Sequence, residues 1–273
     1  MKSPFISIII PTLNEEKYVP SLLKDLQNQT EPNFEVIVID GNSDDNTLSS
    51  CEIFKSNLKI SLIKVNKRNV SYQRNYGAKH ASGNYVLFLD ADVRVSHGFI
   101  KSAYRVINKS KHLIILFPLL PQSKDPKDYL VFKAANNIVL LSQLTNKPLS
   151  NGGNMMFYKS YFEHLGGFNP KLYLAEDHDI IQRARNGGVT VKIAHRVYLR
   201  QSLRRIKNEG WLRSLIKYGI STAHYFQNGK IDHKIIEYNM GGGNYQLTNY
   251  QRKDMISKLN DYIKKVKSTL QSF

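Results

Sequence analysis

The sequence predicts an α/β fold in which a mainly parallel sheet is flanked by helices. Short apolar runs alternate with helical segments four times in the first 92 residues, an order that is typical of parallel sheets. Polar residues follow the first, second and fourth runs, which is where ligands bind in open α/β sheets. With 273 residues, of which 41% are hydrophobic and 22% charged, the chain can bury a sizeable core.

Four strands are predicted in this first part, each an apolar run bounded by turn residues. They cover residues 5–10, 34–39, 60–65 and 85–89. We expect Pro11 to stop the first strand, because proline cannot donate a hydrogen bond to a sheet. Helices are predicted to begin at Asn14 and to cover residues 71–80.

The later elements are spaced less regularly. They are a strand over 113–121, a helix over 128–144, a helix that opens at 175–179, a strand over 189–195 and a helix over 211–226. We interpret the apolar stripe of the helix over 128–144 as core, with a membrane-facing or acceptor-facing use as the alternative. The order predicts a main domain at 1–228 and a C-terminal helical extension at 229–273. The basic amphipathic stretch 249–270 is expected to dock on the domain, with an anionic membrane as the alternative.

The net charge of +17 predicts attraction to polyanions such as phosphorylated substrates, anionic lipids or nucleic acid. No zinc-finger spacing or RNP-type aromatic motif accompanies this charge, so nucleic acid is not expected as a partner. The one cysteine, Cys51, excludes an internal disulfide and fits a reducing compartment. No apolar run is long enough to span a bilayer, and the N-terminus lacks the pattern of a signal peptide. We expect a cytoplasmic protein, with a peripheral position at the inner face of a membrane left open.

Two carboxylates, Asp90 and Asp92, come directly after the apolar run at 85–89. At the end of a strand this spacing lets both side chains reach a single cation. Carboxylate oxygens suit Mg²⁺ or Mn²⁺, which share their coordination with phosphates. The hypothesis is that Asp90 and Asp92 hold a divalent metal against a nucleotide diphosphate.

Five pieces of sequence follow one another in a fixed order. They are residues 7–15, 38–45, 74–78, 88–92, and 166–168 with 176–179. Together they resemble a family 2 glycosyltransferase of GT-A fold, over roughly residues 5–205. The resemblance implies a Rossmann-like nucleotide-binding half and an acceptor half in one mixed, mainly parallel sheet. It also implies an inverting enzyme with a Mn²⁺ or Mg²⁺ cofactor and a nucleotide-diphosphate sugar, UDP- or GDP-linked, as donor.

The resemblance assigns roles to single positions. The residues that would bind the nucleotide sugar are Pro11, Thr12, Asn14, Glu15, Asp40, Asn42, Arg74, Asp90, Ala91, Asn154, Arg204 and Arg205. Asp40 suits the N–H groups of a base because a carboxylate only accepts hydrogen bonds, and Arg74 offers a planar fork to phosphate oxygens. Arg204 and Arg205 would close over the diphosphate. The common Gln-x-x-Arg-Trp form is absent, since Trp211 lies six residues past Arg205, and this argues against a processive polysaccharide synthase.

The resemblance also makes Asp177 the catalytic base, with Glu176 as the second candidate. A helix N-terminus lowers the pKa of a carboxyl group, so the base would need burial or a neighbouring carboxylate to offset that effect. His195, at the end of a predicted strand, would be a third metal ligand beside Asp90 and Asp92. A lone histidine is more often structural, and that interpretation stays open.

The predicted function is metal-dependent, inverting transfer of a sugar to an acceptor hydroxyl, a lipid phosphate or a glycan. A nucleotidyltransferase would use similar paired carboxylates, but the Gly-rich phosphate loop expected after the first strand is missing at residues 11–14. A non-catalytic protein that binds nucleic acid or a lipid surface would explain the net charge of +17. It would not explain why acidic residues gather at the ends of strands.

Overall fold

The computed structural model describes residues 6–110, 112–235 and 241. The strands are β1 (Ile6–Thr12), β2 (Phe34–Asp40), β3 (Ile60–Lys64), β4 (Tyr85–Phe88), β5 (Val93–Arg94), β6 (Ile114–Leu116), β7 (Leu119–Pro121), β8 (Met155–Tyr158), β9 (Lys192–Ile193) and β10 (Leu199–Gln201). The helices are α1 (Val19–Gln27), α2 (Thr47–Cys51), α3 (Val70–His80), α4 (Phe99–Ser110), α5 (Pro126–Ser142), α6 (Lys159–His164), α7 (Glu176–Asn186), α8 (Arg204–Glu209) and α9 (Trp211–Asn228).

A seven-stranded sheet in the order β3-β2-β1-β4-β8-β6-β9 forms the centre of the fold. Strands β1 to β4 run parallel to one another, β8 is antiparallel to both β4 and β6, and β9 is parallel to β6. A second sheet of three short strands has the order β5-β10-β7. The α/β class and the mainly parallel sheet predicted from the sequence are therefore confirmed.

Apolar side chains cover both faces of the large sheet. Alternate residues of β1 point to opposite faces, so that Ile8 belongs to the core on the side of α1 and α4, and Ile9 to the core on the side of α3 and α7. All seven residues of β1 and of β2 are buried, as expected for strands covered by helices on both sides. The carboxyl ends of β1, β2 and β4 consequently meet at one edge of the sheet.

The prediction that Pro11 stops the first strand is wrong, because β1 continues through Thr12. The carbonyl of Ile9 accepts from Leu89 N–H at 3.0 Å. The backbone N–H and C=O groups of Ile9, and of every second residue from it, therefore point toward β4. Pro11 is two residues after Ile9, so its nitrogen also points toward the β4 side, but it lies beyond the residues that pair with β4. The pairing with β2 continues through Thr12 on the other side of β1. The missing proline N–H therefore costs no sheet hydrogen bond.

The first helix begins later than predicted, at Val19 rather than Asn14. Asn14 has a φ of 56°, in the left-handed region, which a helix cannot contain. The predicted strand over 113–121 is two strands in different sheets, β6 and β7. The helix predicted over 211–226 is confirmed as α9, whereas the stretch 249–270 lies outside the described residues.

The interpretation of the apolar stripe on α5 as core is wrong. Large side chains of this helix and of the turn after it are exposed, namely Leu130, Ile138, Leu140, Leu141 and Leu144. Only Asp128, Val139 and Ser142 are buried among the residues of α5. Within the described residues, no helix is long and apolar enough to cross a membrane.

Gly77 sets the distance between α3 and the sheet. A Cβ atom at this position would lie 2.5 Å from Cγ2 of Ile9, so Gly77→Ala should lower the free energy of unfolding by about 1–3 kcal/mol through overpacking. Urea denaturation measures the change. Gly219→Ala is the matched control, because this glycine also lies within a helix but a Cβ atom there would meet no neighbour within 4 Å. An unchanged stability of Gly77→Ala would contradict the packing described.

Candidate active site

The loops after β1 and β2 are joined by hydrogen bonds. Thr12 Oγ1 donates to Asp40 Oδ1 at 3.1 Å, and Ser43 N–H donates to Asp40 Oδ2 at 2.9 Å. Asn14 Oδ1 accepts from Asp44 N–H at 2.8 Å. Asp40 is buried, so the carboxylate predicted to bind a base lies at the bottom of these loops with its oxygens already engaged.

Arg74 joins three elements from the middle of α3. Its Nη1 donates to Glu176 Oε1 and its Nη2 to Asp90 Oδ1, both at 2.8 Å. The side chain is almost fully buried and lies over the ring of Phe168, with 5.2 Å between Cζ and the ring centroid. Burial alone would lower the pKa of Arg74, but Asp90 and Glu176 raise it, so the guanidinium stays charged.

Asn154 and Gln201 connect Asp90 to Asp92. Asn154 accepts from Asp90 N–H at 2.9 Å and donates through Nδ2 to Asp90 Oδ2 at 3.1 Å. Its Nδ2 also lies 3.3 Å from Gln201 Oε1, and Gln201 Nε2 donates to Asp92 Oδ1 at 3.0 Å. The two carboxylates predicted to act together are thus held in one hydrogen-bonded cluster, whose amide side chains come from the residue before β8 and from the end of β10.

Arg204 closes the cluster from the start of α8. It donates through Nη1 and Nη2 to the two carboxylate oxygens of Glu15 at 2.5 and 2.6 Å, and its Nε lies 3.0 Å from Asp92 Oδ2. Its guanidinium also lies 4.5 Å from the ring centroid of Tyr18. Burial raises the pKa of Glu15 to about 7 despite this pairing, and burial also raises the pKa of Asp92. Because the carboxylates of Glu15 and Asp92 are poorly hydrated, this cluster favours the binding of a ligand that carries compensating charge.

Asp177 lies in the first turn of α7, directly after Glu176. Its Oδ2 accepts from Ser150 Oγ and, at 3.1 Å, from Gly152 N–H, and it lies 3.4 Å from His178 Nδ1. Burial would raise the pKa of Asp177, but His178 and the Ser150 hydroxyl hold it below its usual value. The pKa of Glu176 is raised by burial, against the attraction of Arg74. Asp177 is therefore ionised at neutral pH, whereas burial favours the protonated form of Glu176.

Three residues with positive φ other than glycine occur in the described chain, and all border this site. They are Asn14 (56°), Asn42 (63°) and Ala175 (64°). Ala175 directly precedes Glu176 and serves as the N-cap residue of α7. Such backbone conformations cost about 1–3 kcal/mol each and cluster at functional sites.

The fold does not bring all predicted site residues together. His195 is exposed and lines a groove beside α5, whereas Asp90 and Asp92 lie in the cluster of Arg74 and Arg204. Among the described residues, no group of three His, Cys, Asp or Glu side chains could hold a metal ion. Pro11 and Ala91 are buried next to Thr12 and Asp90 in the chain, and the carbonyl of Asn42 accepts from Arg68 Nη2 at 2.9 Å.

The sequence patterns did not identify several residues of the site. Gln201 stands three residues before Arg204, so Gln201-Ser-Leu-Arg204-Arg205 matches the Gln-x-x-Arg part of the motif with arginine in place of tryptophan. That spacing could have identified Gln201. Ser150 and His178 carry no such signal, because their contacts with Asp177 depend on how the loop before β8 meets α7.

The family model described as "Glycosyl transferase family 2" matches residues 7–166. This range includes the ends of β1, β2 and β4 and more than half of the chain. The protein belongs to glycosyl transferase family 2, and the family predicted from the five sequence pieces is confirmed.

Two relatives show how far the similarity extends. The poly(ribitol-phosphate) beta-N-acetylglucosaminyltransferase TarS of Staphylococcus aureus is 36% identical over 117 residues, which are 41% of this chain and 20% of TarS. A dolichyl N-acetyl-alpha-D-glucosaminyl phosphate 3-beta-D-2,3-diacetamido-2,3-dideoxy-beta-D-glucuronosyltransferase of Methanococcus voltae is 29% identical over 169 residues. Those residues are 58% of this chain and 49% of the relative. The chain thus spans half or less of the length of these relatives.

Solved structures confirm the GT-A fold. TarS 1–349 of S. aureus in complex with UDP matches with a TM-score of 0.58 and 23% identity, over 72% of this chain and 60% of the other. The mannosyltransferase PcManGT of Pyrobaculum calidifontis, in complex with GDP-Man and Mn²⁺, matches with a TM-score of 0.67 and 21% identity. That match covers 85% of this chain and 66% of PcManGT.

Gly153 leaves room for the Arg74 guanidinium. A Cβ atom at position 153 would lie 1.9 Å from Nη2 of Arg74, so Gly153→Ala should push the guanidinium away from Asp90. Leaving a buried charge without its partner is costly, and we expect a loss of roughly 2–4 kcal/mol in the free energy of unfolding. Thermal and urea denaturation measure the loss. Gly98→Ala, which meets no atom within 4 Å, is the control, and equal stability of the two variants would exclude this tight approach.

Proposed function

We propose that this protein transfers a sugar from a UDP- or GDP-linked donor to an acceptor hydroxyl, with inversion and with a divalent metal. One observation carries the proposal: Arg74 binds Asp90 and Glu176 at once. This bridge puts the Asp90–Asp92 pair and the Glu176–Asp177 pair on either side of one guanidinium. In an inverting transfer, the carboxylates that hold a metal for the leaving diphosphate and the carboxylate that takes the acceptor's proton act on opposite sides of the reacting carbon.

The donor would lie across the carboxyl ends of β1, β2 and β4. Thr12, Asp40 and the loops that contain Asn14 and Asn42 form the end suited to a nucleoside. The family and its solved neighbours, one bound to UDP-GlcNAc and one to GDP-Man, support a nucleotide sugar of this class. Arg204, which lies 3.0 Å from Asp92, would bind the diphosphate together with Arg205.

The residues at the end of β4 suit Mg²⁺ or Mn²⁺. Asp90 keeps 31% of its side chain exposed, and both Asp90 and Asp92 offer the hard oxygen ligands that these ions prefer. Asp90 and Asp92 would therefore hold the metal, with water and the donor's phosphates as further ligands. When bound, the metal supplies positive charge that stabilises the departing diphosphate.

Asp177 would act on the acceptor. The acceptor oxygen forms a bond to the anomeric carbon while the bond from that carbon to the diphosphate breaks, and the acceptor proton passes to a carboxylate. Asp177 is buried and ionised, and Ser150 and Gly152 fix its orientation. Glu176 is the alternative acceptor of the proton, since its pKa is the raised one of the pair. The acceptor itself would be a hydroxyl of a glycan or of a lipid-linked molecule.

Removing each carboxylate in turn separates these roles. Asp177→Asn should lower the rate of sugar transfer by at least about a hundredfold, because general-base catalysis contributes roughly 10²–10⁴. Nucleotide binding, followed by calorimetry with Mn²⁺ and UDP or GDP, should stay within a factor of about three. Glu52→Gln is the control, because this acid is exposed and pairs with Lys55 at 2.7 Å rather than with a residue of the site. Transfer by Asp177→Asn at the wild-type rate, with loss in Glu176→Gln, would move the base to Glu176.

Metal dependence is tested on binding rather than on turnover. In Mn²⁺ the protein should bind UDP or GDP, and chelation should weaken binding by about tenfold or more, because two carboxylates near a diphosphate repel it without a cation. Asp92→Ala should lose the response to Mn²⁺, whereas Glu52→Gln should keep it. Binding that is indifferent to chelation in the wild type would contradict the metal assignment.

A further inference from the structure

One face of α5 and of the turn after it presents large aliphatic side chains to solvent. The exposed fractions are 68% for Leu130, 57% for Ile138, 61% for Leu141 and 82% for Leu144. Positions 130, 134, 138 and 141 follow one another at intervals of four, four and three residues, which is one stripe of an α-helix. Scattered exposed leucines are common, but a continuous apolar stripe of this kind marks an interaction surface.

Few side chains of α5 are buried against the rest of the protein, namely Asp128, Val139 and Ser142. Asn136 fixes the helix to β7 by exchanging two hydrogen bonds with the backbone of Leu119, at 3.0 and 2.8 Å. Between the helix and strands β6, β7 and β9 lies a groove of about 650 Å³. Its lining is mostly apolar and includes the exposed Tyr198 and His195. The helix therefore lies at the surface with apolar atoms on both sides.

Charge around the stripe selects among the possible occupants. Lys127 and Lys133 each lie three residues from Leu130, and both are exposed. A second copy would bring the same lysines and another +17 charges to the contact, which opposes self-association. The segment 249–270 carries Lys253, Lys258, Lys264, Lys265 and Lys267, so it would bring like charge as well. An anionic lipid surface satisfies both the apolar stripe and the lysines.

We propose that α5 binds an anionic bilayer in the plane of the interface, with Leu130, Ile138, Leu141 and Leu144 inserted among the acyl chains. Lys127 and Lys133 lie at the level of the headgroups, and Tyr198 occupies the boundary region that suits a partly polar ring. A helix of 17 residues held this way lies on the membrane and does not span it.

The membrane position has a consequence for the acceptor, which rests on the proposed function. Asn151 lines the groove beside α5, and its neighbours Ser150 and Gly152 both donate hydrogen bonds to Asp177. One wall of the groove is therefore next in the chain to the two residues that orient the candidate base. An acceptor whose apolar part is embedded in the same bilayer could reach Asp177 along this groove.

Co-sedimentation with vesicles tests the bilayer contact without any sugar transfer. The full chain is mixed with phosphatidylcholine vesicles that contain or lack phosphatidylglycerol. Leu141→Glu and Ile138→Glu should each weaken binding to the anionic vesicles by about tenfold or more, since each removes one large apolar side chain from the bilayer. Ile53→Glu is the matched control, because Ile53 is 73% exposed in the short turn that follows α2, and it should bind as the wild type does.

A fluorophore reports the depth of insertion. Cys51 is buried and burial raises the pKa of its thiol to about 11, so Leu141→Cys and Ile53→Cys can be labelled without removing it. A polarity-sensitive dye at position 141 should shift to the blue when anionic vesicles are added, and the dye at 53 should not.

Two outcomes would overturn the proposal. One is binding to anionic vesicles that is unchanged by Leu141→Glu and Ile138→Glu, which would assign the contact to other basic residues. The other is a wild-type dimer in light scattering that Leu141→Glu converts to a monomer, with no vesicle binding by either protein. Because no donor is present in these assays, their failure leaves the test of Asp177 and Asp92 unaffected.

Discussion

The buried guanidinium of Arg74 is the constraint on which the rest of the site depends. A charge so far from water is tolerated only when carboxylates pair with it, and Asp90 and Glu176 supply that pairing from the end of β4 and from α7. Phe168 covers one face of the guanidinium and Gly153 leaves the space it fills. Residues that lie 102 positions apart in sequence are thereby held together. This contact fixes the position of the Asp90–Asp92 pair relative to the Glu176–Asp177 pair.

The ion pairs of Arg204 with Glu15 and Asp92 form a second buried cluster in the site. Arg204 faces Glu15 and Asp92 together, and burial still raises the pKa of both acids. Glu15 therefore favours its protonated form as the pH falls below about 7, so stability contributed there is present at low pH and is lost as the pH rises through that value. A ligand that brings a metal and a diphosphate would supply new partners for all three groups, which agrees with the proposed donor site.

Much of the fold could be predicted from the sequence, and so could the acids that the fold brings together, because both depend on local pattern. Apolar runs that end in Asp40 and Asp90 indicated buried strands and the edge where they meet. The exposed stripe of α5 could not be recognised, since periodicity gives the apolar face of a helix but not what covers it. Gln201 had a detectable spacing to Arg204, whereas the contact of Ser150 with Asp177 depends on tertiary packing. His195 has the right residue type and follows a strand, yet that strand lies at the far edge of the sheet.

A crystal structure of the protein with Mn²⁺ and either UDP or GDP tests the central claim most directly. The account predicts a diphosphate beside Asp90 and Asp92, within reach of Arg204, with the base near Asp40 and the Arg74 bridge intact. A nucleotide bound elsewhere on the molecule, or one bound here with Arg74 released from both Asp90 and Glu176, would contradict it.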